Sequence, residues 1–166
     1  MEENINMIIN MLKAEKTLLM TKYEKNKAEI WKCDLLIKYY LDLKSNLIVN
    51  LNKKRNSLAE YNSIINMLDN IPNTVLDIFK SFISENGFIE KALDIEEEIL
   101  EIQEKNSKID SKLIQIKKRK KRLNEKNERI NKKILFIDEQ LGKPIELVDE
   151  SCIRKKLSHK QPKNKK

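Results

Sequence analysis

Apolar residues recur in this sequence at alternating spacings of four and three over two long stretches, and only five residues in the chain are Gly or Pro. Four of the five fall at three points, namely Pro72, Gly87 and the pair Gly142 and Pro144, and the fifth is Pro162. Because Gly and Pro end helices, these points divide the chain into long uninterrupted segments. The same scarcity excludes β-sandwiches, Rossmann-type sheets and P-loop enzymes, which need many turns.

The first long segment, residues 2–69, carries the repeat without a slip, and most of its heptad positions are apolar. A sustained period of 3.5 residues predicts a long helix that supercoils against a partner helix. The heptad positions are Ile5, Ile9, Leu12, Lys16, Leu19, Tyr23, Asn26, Ile30, Cys33, Ile37, Tyr40, Lys44, Leu47, Leu51, Lys54, Leu58, Tyr61, Ile65 and Leu68.

The second long segment, residues 88–141, is as regular, with Ile at most d positions. Ile at d favours three or more strands, whereas a polar residue at a sets register. We therefore predict that the polar a residues Asn106, Lys120 and Asn127 set the register. The heptad positions are Phe88, Ala92, Ile95, Ile99, Ile102, Asn106, Ile109, Leu113, Ile116, Lys120, Leu123, Asn127, Ile130, Ile134, Ile137 and Leu141.

The remaining parts are a short middle segment and a tail. Residues 74–84 have apolar residues on one helical face and predict a short amphipathic linker helix. Residues 145–166 predict a disordered basic tail. The predicted fold class is all-α: two long heptad-repeat helices joined by the short helix, as an extended coiled coil or a hairpin.

The first helix has more apolar surface than one neighbouring helix can cover. Eleven of the seventeen residues 35–51 are apolar and they surround much of the helix, which predicts burial on several sides. We therefore predict contact with other coiled-coil subunits in a hetero-oligomer, with three or more strands favoured. The predicted interface residues are Ile30, Ile37, Leu47, Leu51, Ile99, Ile109, Leu113 and Ile116.

The net charge of +8 is concentrated in two places. Seven bases and no acids lie in residues 151–166, and six bases are consecutive in the second long segment. Such a run is typical of a nuclear localisation signal or of a patch for an acidic partner, so an import receptor or an acidic protein is expected there. The basic run is Lys117, Lys118, Arg119, Lys120, Lys121 and Arg122.

Residues able to carry catalysis are scarce. The one histidine, His159, lies among lysines of the tail, and Cys33 and Cys152 form no CxxC pair. No metalloprotease, dinucleotide-binding, P-loop or nucleophile-elbow pattern occurs. We predict that the chain is not an enzyme and has no catalytic, cofactor-binding or metal-binding residues and no small-molecule substrate. No apolar run approaches the ~20 residues of a transmembrane helix.

Two short motifs resemble a known family. Trp31-Lys32-Cys33-Asp34-Leu35 precedes a Leu-rich heptad stretch, and Ile109-Asp110-Ser111-Lys112-Leu113 follows at a similar interval. With this layout the chain resembles the C-terminal coiled-coil domain of the central-channel FG nucleoporin family (the Nsp-one type), although that family usually has Asp where Lys32 stands. The resemblance implies a heterotrimeric scaffold in the nuclear pore.

The sequence thus predicts a non-enzymatic structural subunit of a hetero-oligomeric coiled-coil complex, with a nuclear pore central-channel subcomplex as the named candidate. The first alternative is a spindle or kinetochore linker or a vesicle-tethering subunit. The second is a nucleic-acid-binding protein that uses the basic run and the tail. We expect an intracellular location, in the nucleus or at the nuclear envelope, with the cytoplasm as the alternative.

Overall fold

The computed structural model describes residues 1–72, 75, 77, 78 and 87–142. It contains two long helices, α1 (Glu2–Asp69) and α2 (Phe88–Gly142), and no strand among the described residues. This confirms the all-α class. The predicted linker helix 74–84 lies mostly outside the described residues, and the predicted tail 145–166 lies wholly outside them.

The ends of the helices follow from a few residues. Glu2 and Glu3 lie in the first turn of α1, where their negative charge is favourable to the helix dipole. Pro72 disfavours helical geometry at the residue before it, Ile71. The helix α1 ends two residues earlier, at Asp69. Gly87 has a φ of 62° immediately before α2, a conformation that costs a residue with a side chain about 1 kcal/mol or more.

The chain divides into two compact units. Unit 1 consists of residues 1–34 of α1 and residues 118–142 of α2. Within it the two helices run antiparallel, since Lys16 bonds to Asp138 whereas Asn26, further along α1, bonds to Asn127. Three buried side chains form its core, packed against four partly buried ones. They are Leu12, Leu19 and Ile137, with Ile8, Ile130, Ile134 and Leu141 around them.

Unit 2 is the continuous stretch of residues 35–117. It is a helical hairpin, because Lys44 pairs with Asp110 and Lys54 pairs with Glu98, so α2 runs back along α1. Of the two arrangements expected from sequence, the structure therefore has the antiparallel hairpin in this unit. Its core consists of Leu51, Ile99 and Ile102, with Leu47, Leu58 and Ile95 packed against them.

Burial follows the heptad positions closely. Thirteen residues are buried among those described, and twelve of them occupy positions that the repeat picked out. The exception is Phe136, which lies beside the fully buried Ile137 in the sequence. Burying one such apolar side chain completely contributes about 1.5–3 kcal/mol. The same residues that define the repeat therefore supply the packing that holds each unit together.

Candidate interaction surfaces

Four lysines occupy heptad positions, and each has a carboxylate partner on the opposite helix. Lys16 pairs with Asp138 at 2.6 Å and Lys120 pairs with Asp34 in unit 1. The other two are the unit 2 pairs of Lys44 and Lys54 described above. These side chains are about a third exposed or more, so each pair contributes modestly, roughly 0–1 kcal/mol. Within each unit, the two pairs favour one alignment of the helices, because a shift would leave the bases without acids.

The predicted register residue Asn127 lies in unit 1 and is 8% exposed. Its side-chain Oδ1 accepts a hydrogen bond of 2.9 Å from Nδ2 of Asn26, and its own Nδ2 donates to the backbone carbonyl of Tyr23 at 3.3 Å. Both ends of the amide are therefore satisfied by α1. Any other alignment would bury the amide without these partners.

The predicted register residue Asn106 lies in unit 2 and differs from Asn127. Its Oδ1 is buried and has no hydrogen-bond partner among the described residues. A buried acceptor without a donor costs about 1–3 kcal/mol. The polar contacts of the two units are therefore not equivalent: the buried amide of Asn127 in unit 1 is hydrogen-bonded at both ends, whereas the half-buried Asn106 in unit 2 has a buried oxygen without a partner among the described residues.

The eight predicted interface residues lie on covered sides of the two helices. Four are buried, namely Leu51, Ile99, Ile109 and Leu113, and four are half-buried, namely Ile30, Ile37, Leu47 and Ile116. None is exposed, since the chain itself covers them. Their contact with another subunit stays a prediction.

Unit 2 exposes an apolar face on α1, which we call the apolar face. Its six side chains are each 41–59% exposed. By heptad position Leu35, Tyr39 and Val49 point away from α2, and Leu41 and Ile48 flank the buried side. The segment that the sequence marked as apolar on several sides is thus covered by α2 on one side only. The six are Leu35, Leu36, Tyr39, Leu41, Ile48 and Val49.

Exposed apolar residues of α2 in unit 2 were not predicted from the sequence. Leu93, Leu100 and Ile114 are 55–65% exposed. They are separated by seven and fourteen residues, so they share one side of the helix. This spacing could have predicted the three residues from the sequence, but they are few compared with the apolar residues at the main heptad positions.

The two motifs of the nucleoporin resemblance have distinct local roles. In the first, Trp31 is 63% exposed whereas Cys33 is buried and Asp34 pairs with Lys120. In the second, Ile109 is buried and Asp110 pairs with Lys44. Each motif thus combines a core side chain with an acid that holds a lysine of the other helix.

The predicted basic run lies within α2, and two of its six residues make ion pairs with α1. Arg119 pairs with Glu29 at 2.6 Å, and Lys120 pairs with Asp34. Lys120, which the repeat places at the helix contact, therefore meets an acid from the same chain. Within the described part of the chain, the other four residues are exposed and make no ion pair. These are Lys117, Lys118, Lys121 and Arg122.

Glu29 is set among bases of both helices in unit 1. The hydrogen bond from Lys32 is the largest cause that lowers its pKa, followed by the charges of Lys32, Arg119 and Lys25. In unit 2, a hydrogen bond from Lys108, one turn further along α2, likewise lowers the pKa of Glu104. The two acids differ in that only Glu29 depends on a base from the other helix.

The described residues offer no group of three or more His, Cys, Asp or Glu side chains that could hold a metal ion. Neither described helix has a stretch long and apolar enough to cross a bilayer. A shallow groove on α1 in unit 1 has walls of mixed character. Its lining residues are Glu3, Asn6, Met7, Asn10, Met11 and Ala14.

No protein-family model, curated protein or solved structure matches this chain.

Proposed function

We propose that the chain is a non-enzymatic structural subunit of a hetero-oligomeric coiled-coil complex, in which a helix of another subunit packs on the apolar face of unit 2. The observation that carries this is the exposure of the six apolar side chains of that face, which lie around the sides of α1 that α2 does not cover. Contiguous apolar surface on a protein is typical of an interaction site.

The amount of exposed apolar surface supports a stable contact. Complete burial of such a side chain contributes about 1.5–3 kcal/mol, so covering the exposed half of Leu35, Tyr39 and Val49, which point away from α2, contributes roughly 2–4 kcal/mol. Leu93, Leu100 and Ile114 of α2 offer further apolar area in the same unit. A third helix laid along the hairpin of unit 2 would give three strands, as Ile at the d positions favours.

Charge supports an acidic partner at the bases of the chain, since most of the formal charge of +8 lies in the basic run and in residues 151–166. Location in the nucleus or at the nuclear envelope, including a pore subcomplex, belongs to the same proposal. The exposed bases of the run and the resemblance of the two motifs support that location.

The test is affinity purification of the full chain from cells, with partners identified by mass spectrometry. A variant with Leu35→Gln and Tyr39→Gln keeps helix-forming residues but removes apolar surface from the apolar face. We expect this variant to remain helical and to lose helical partners that the unchanged chain retains. A matched variant, Lys38→Gln with Lys53→Gln, alters exposed residues of the same part of α1 and should retain them.

Undiminished recovery of all partners by the Leu35→Gln and Tyr39→Gln variant would contradict the proposal. A stable, monodisperse homo-oligomer of the purified chain, measured by sedimentation, would also contradict it, because the apolar face would then be covered by the chain's own copies.

A further inference from the structure

Bases recur along one side of α2 in unit 1 with spacings of three, four, three and four residues. Four of the five side chains are exposed and the fifth, Lys133, is half-buried. Over fourteen residue steps they follow about 21 Å of the helix. We call them the basic stripe: Arg119, Arg122, Lys126, Arg129 and Lys133. The predicted basic run overlaps only its first two members.

Most of the basic stripe is not neutralised by this chain. Among the described residues, Arg119 has an ion pair with Glu29, and the other four members have none. Two more exposed bases, Lys22 and Lys25, precede Glu29 by seven and four residues, so they lie on the side of α1 that Glu29 occupies. Both helices of unit 1 therefore contribute bases to this region.

Arginine is rare in the chain, which has five Arg among 34 bases, yet three of the five lie in the basic stripe. The planar guanidinium group can bind a carboxylate through two parallel hydrogen bonds, which the Lys ammonium cannot do. This concentration of Arg indicates a surface that recognises carboxylates or phosphates rather than one that is merely solvated.

We propose that the basic stripe of unit 1 docks an acidic α-helix of a partner protein, with carboxylates along one side at the same spacing of three and four residues. This inference rests on the proposed function and names the chemistry of the partner. It is supported by the contacts within the chain, where pairs of a base and a carboxylate repeatedly join one helix to another. A helix with Glu or Asp at alternating spacings of three and four presents its acids in a straight line that matches the stripe.

The alternative anion, a nucleic acid, fits less well. The basic stripe has no aromatic residue on which bases could stack. A carboxylate is accommodated in this region, as shown by Glu29, which pairs with Arg119 and whose pKa is held below its ordinary value by the surrounding bases.

The experiment measures binding of the full chain to a labelled synthetic peptide by fluorescence anisotropy. The peptide is a helix of about four heptads with Glu along one side at alternating spacings of three and four. A second peptide of the same composition contains central prolines that prevent helix formation. A DNA duplex of about 20 base pairs serves as the third probe.

The test variant is Arg122→Glu with Arg129→Glu, and the control is Lys13→Glu with Lys27→Glu. The control makes the same change in net charge at exposed positions of α1 in the same unit, seven residues to either side of Met20. We expect the test variant to weaken binding of the helical peptide about tenfold and the control to weaken it by less than about threefold. Raising the salt from about 50 to about 300 mM should weaken binding of the unchanged chain.

Several results would overturn the inference. One is that the helical peptide does not bind, and another is that the test and control variants weaken its binding equally. A third is that the proline-containing peptide binds as tightly as the helical one. The last is that the duplex binds more tightly than the helical peptide and does so through Arg122 and Arg129. The last result would assign the stripe to nucleic acid. The Leu35→Gln and Tyr39→Gln variant should bind the helical peptide normally, so failure at the stripe is distinguishable from failure of the apolar face.

Discussion

The two units use the same repeat but satisfy their polar residues differently. In unit 1, Asn127 accepts a hydrogen bond from Asn26 and donates one to the backbone carbonyl of Tyr23, and Lys120 pairs with Asp34. In unit 2, the buried Oδ1 of Asn106 has no donor among the described residues. The amide of Asn127 in unit 1 is therefore hydrogen-bonded at both ends, whereas the Asn106 amide of unit 2 retains an unsatisfied acceptor.

The exposed surfaces of the two units also differ. Unit 2 exposes the six apolar side chains of the apolar face, and unit 1 exposes the basic stripe. An apolar surface contributes free energy when it is covered, whereas exposed charges mainly select partners and speed their encounter. In the proposed complex we expect the apolar face of unit 2 to supply most of the binding free energy and the basic stripe of unit 1 to supply specificity for an acidic partner.

The largest effect is expected in the core of unit 1. Leu19 is 7% exposed and belongs to the cluster with Leu12 and Ile137, whereas its neighbour Leu18 is 55% exposed. Leu19→Ala should lower the free energy of unfolding by about 2–5 kcal/mol, because it removes packed methyl groups and leaves a cavity. Leu18→Ala in the isolated chain should change it by less than about 0.5 kcal/mol.

Denaturation followed by circular dichroism measures both changes. Equal costs for Leu18 and Leu19 would contradict the side of α1 assigned to the core of unit 1.

The second effect concerns the matched amides of unit 1. Asn127→Leu should cost about 1–3 kcal/mol, since it leaves the half-buried amide of Asn26 without its partner. Adding Asn26→Leu should recover most of that loss, because replacing both partners by apolar groups of similar size is close to neutral. A thermal-unfolding cycle of the two single variants and the double variant tests this, and additive losses would contradict the pairing.

The sequence predicted the helices well because the heptad positions and the burial pattern have the same cause. Leu12, Leu19, Leu51 and Ile99 recur at the spacing that keeps one side of a helix against its neighbour, so periodicity alone locates them. It could not decide whether the covering helix came from the same chain. That choice depends on long-range pairs such as Lys44 with Asp110, which no local pattern reveals.

The candidate surfaces were harder to predict for a related reason. A list of apolar residues such as 35–51 does not show which of them the second helix covers. Leu47 and Ile48 are neighbours in the sequence, yet Leu47 packs on the core of unit 2 and Ile48 is exposed. The basic stripe was not predicted from the sequence. The basic run at residues 117–122 has bases on every side of the helix, and a count of consecutive bases does not show which of them share one side.

A smaller effect of opposite sign is expected at Asn106 in unit 2. Asn106→Leu should raise the free energy of unfolding by about 1 kcal/mol, because it removes an unsatisfied buried acceptor. The matched change in unit 1, Asn127→Leu, has the opposite sign, so the pair tests the difference between the units directly. Chemical denaturation of the two variants is sufficient, and destabilisation by both would mean that Asn106 also has a donor.

The smallest effect is the pH dependence of two glutamates. The pKa of Glu29 is lowered chiefly by Lys32 and also by Arg119 of α2, and that of Glu104 by Lys108 of its own helix. A carboxyl whose pKa is lower in the folded state contributes stability above its unfolded pKa, and this contribution is lost as the pH falls through the folded pKa. Carboxyl titration followed by NMR should show the pKa values of Glu29 and Glu104 below the ordinary value of a glutamate.

Substitutions separate the causes at these two sites. Lys32→Ala should raise the pKa of Glu29 more than Arg119→Ala does, and neither change should move Glu104, which should respond to Lys108→Ala. A response of Glu29 to Arg119→Ala requires that α1 and α2 be paired in unit 1, since the two residues lie on different helices. If Glu29 titrates identically with and without the Arg119 side chain, the basic stripe does not lie beside α1 in solution, and the bases of the two helices do not form one surface.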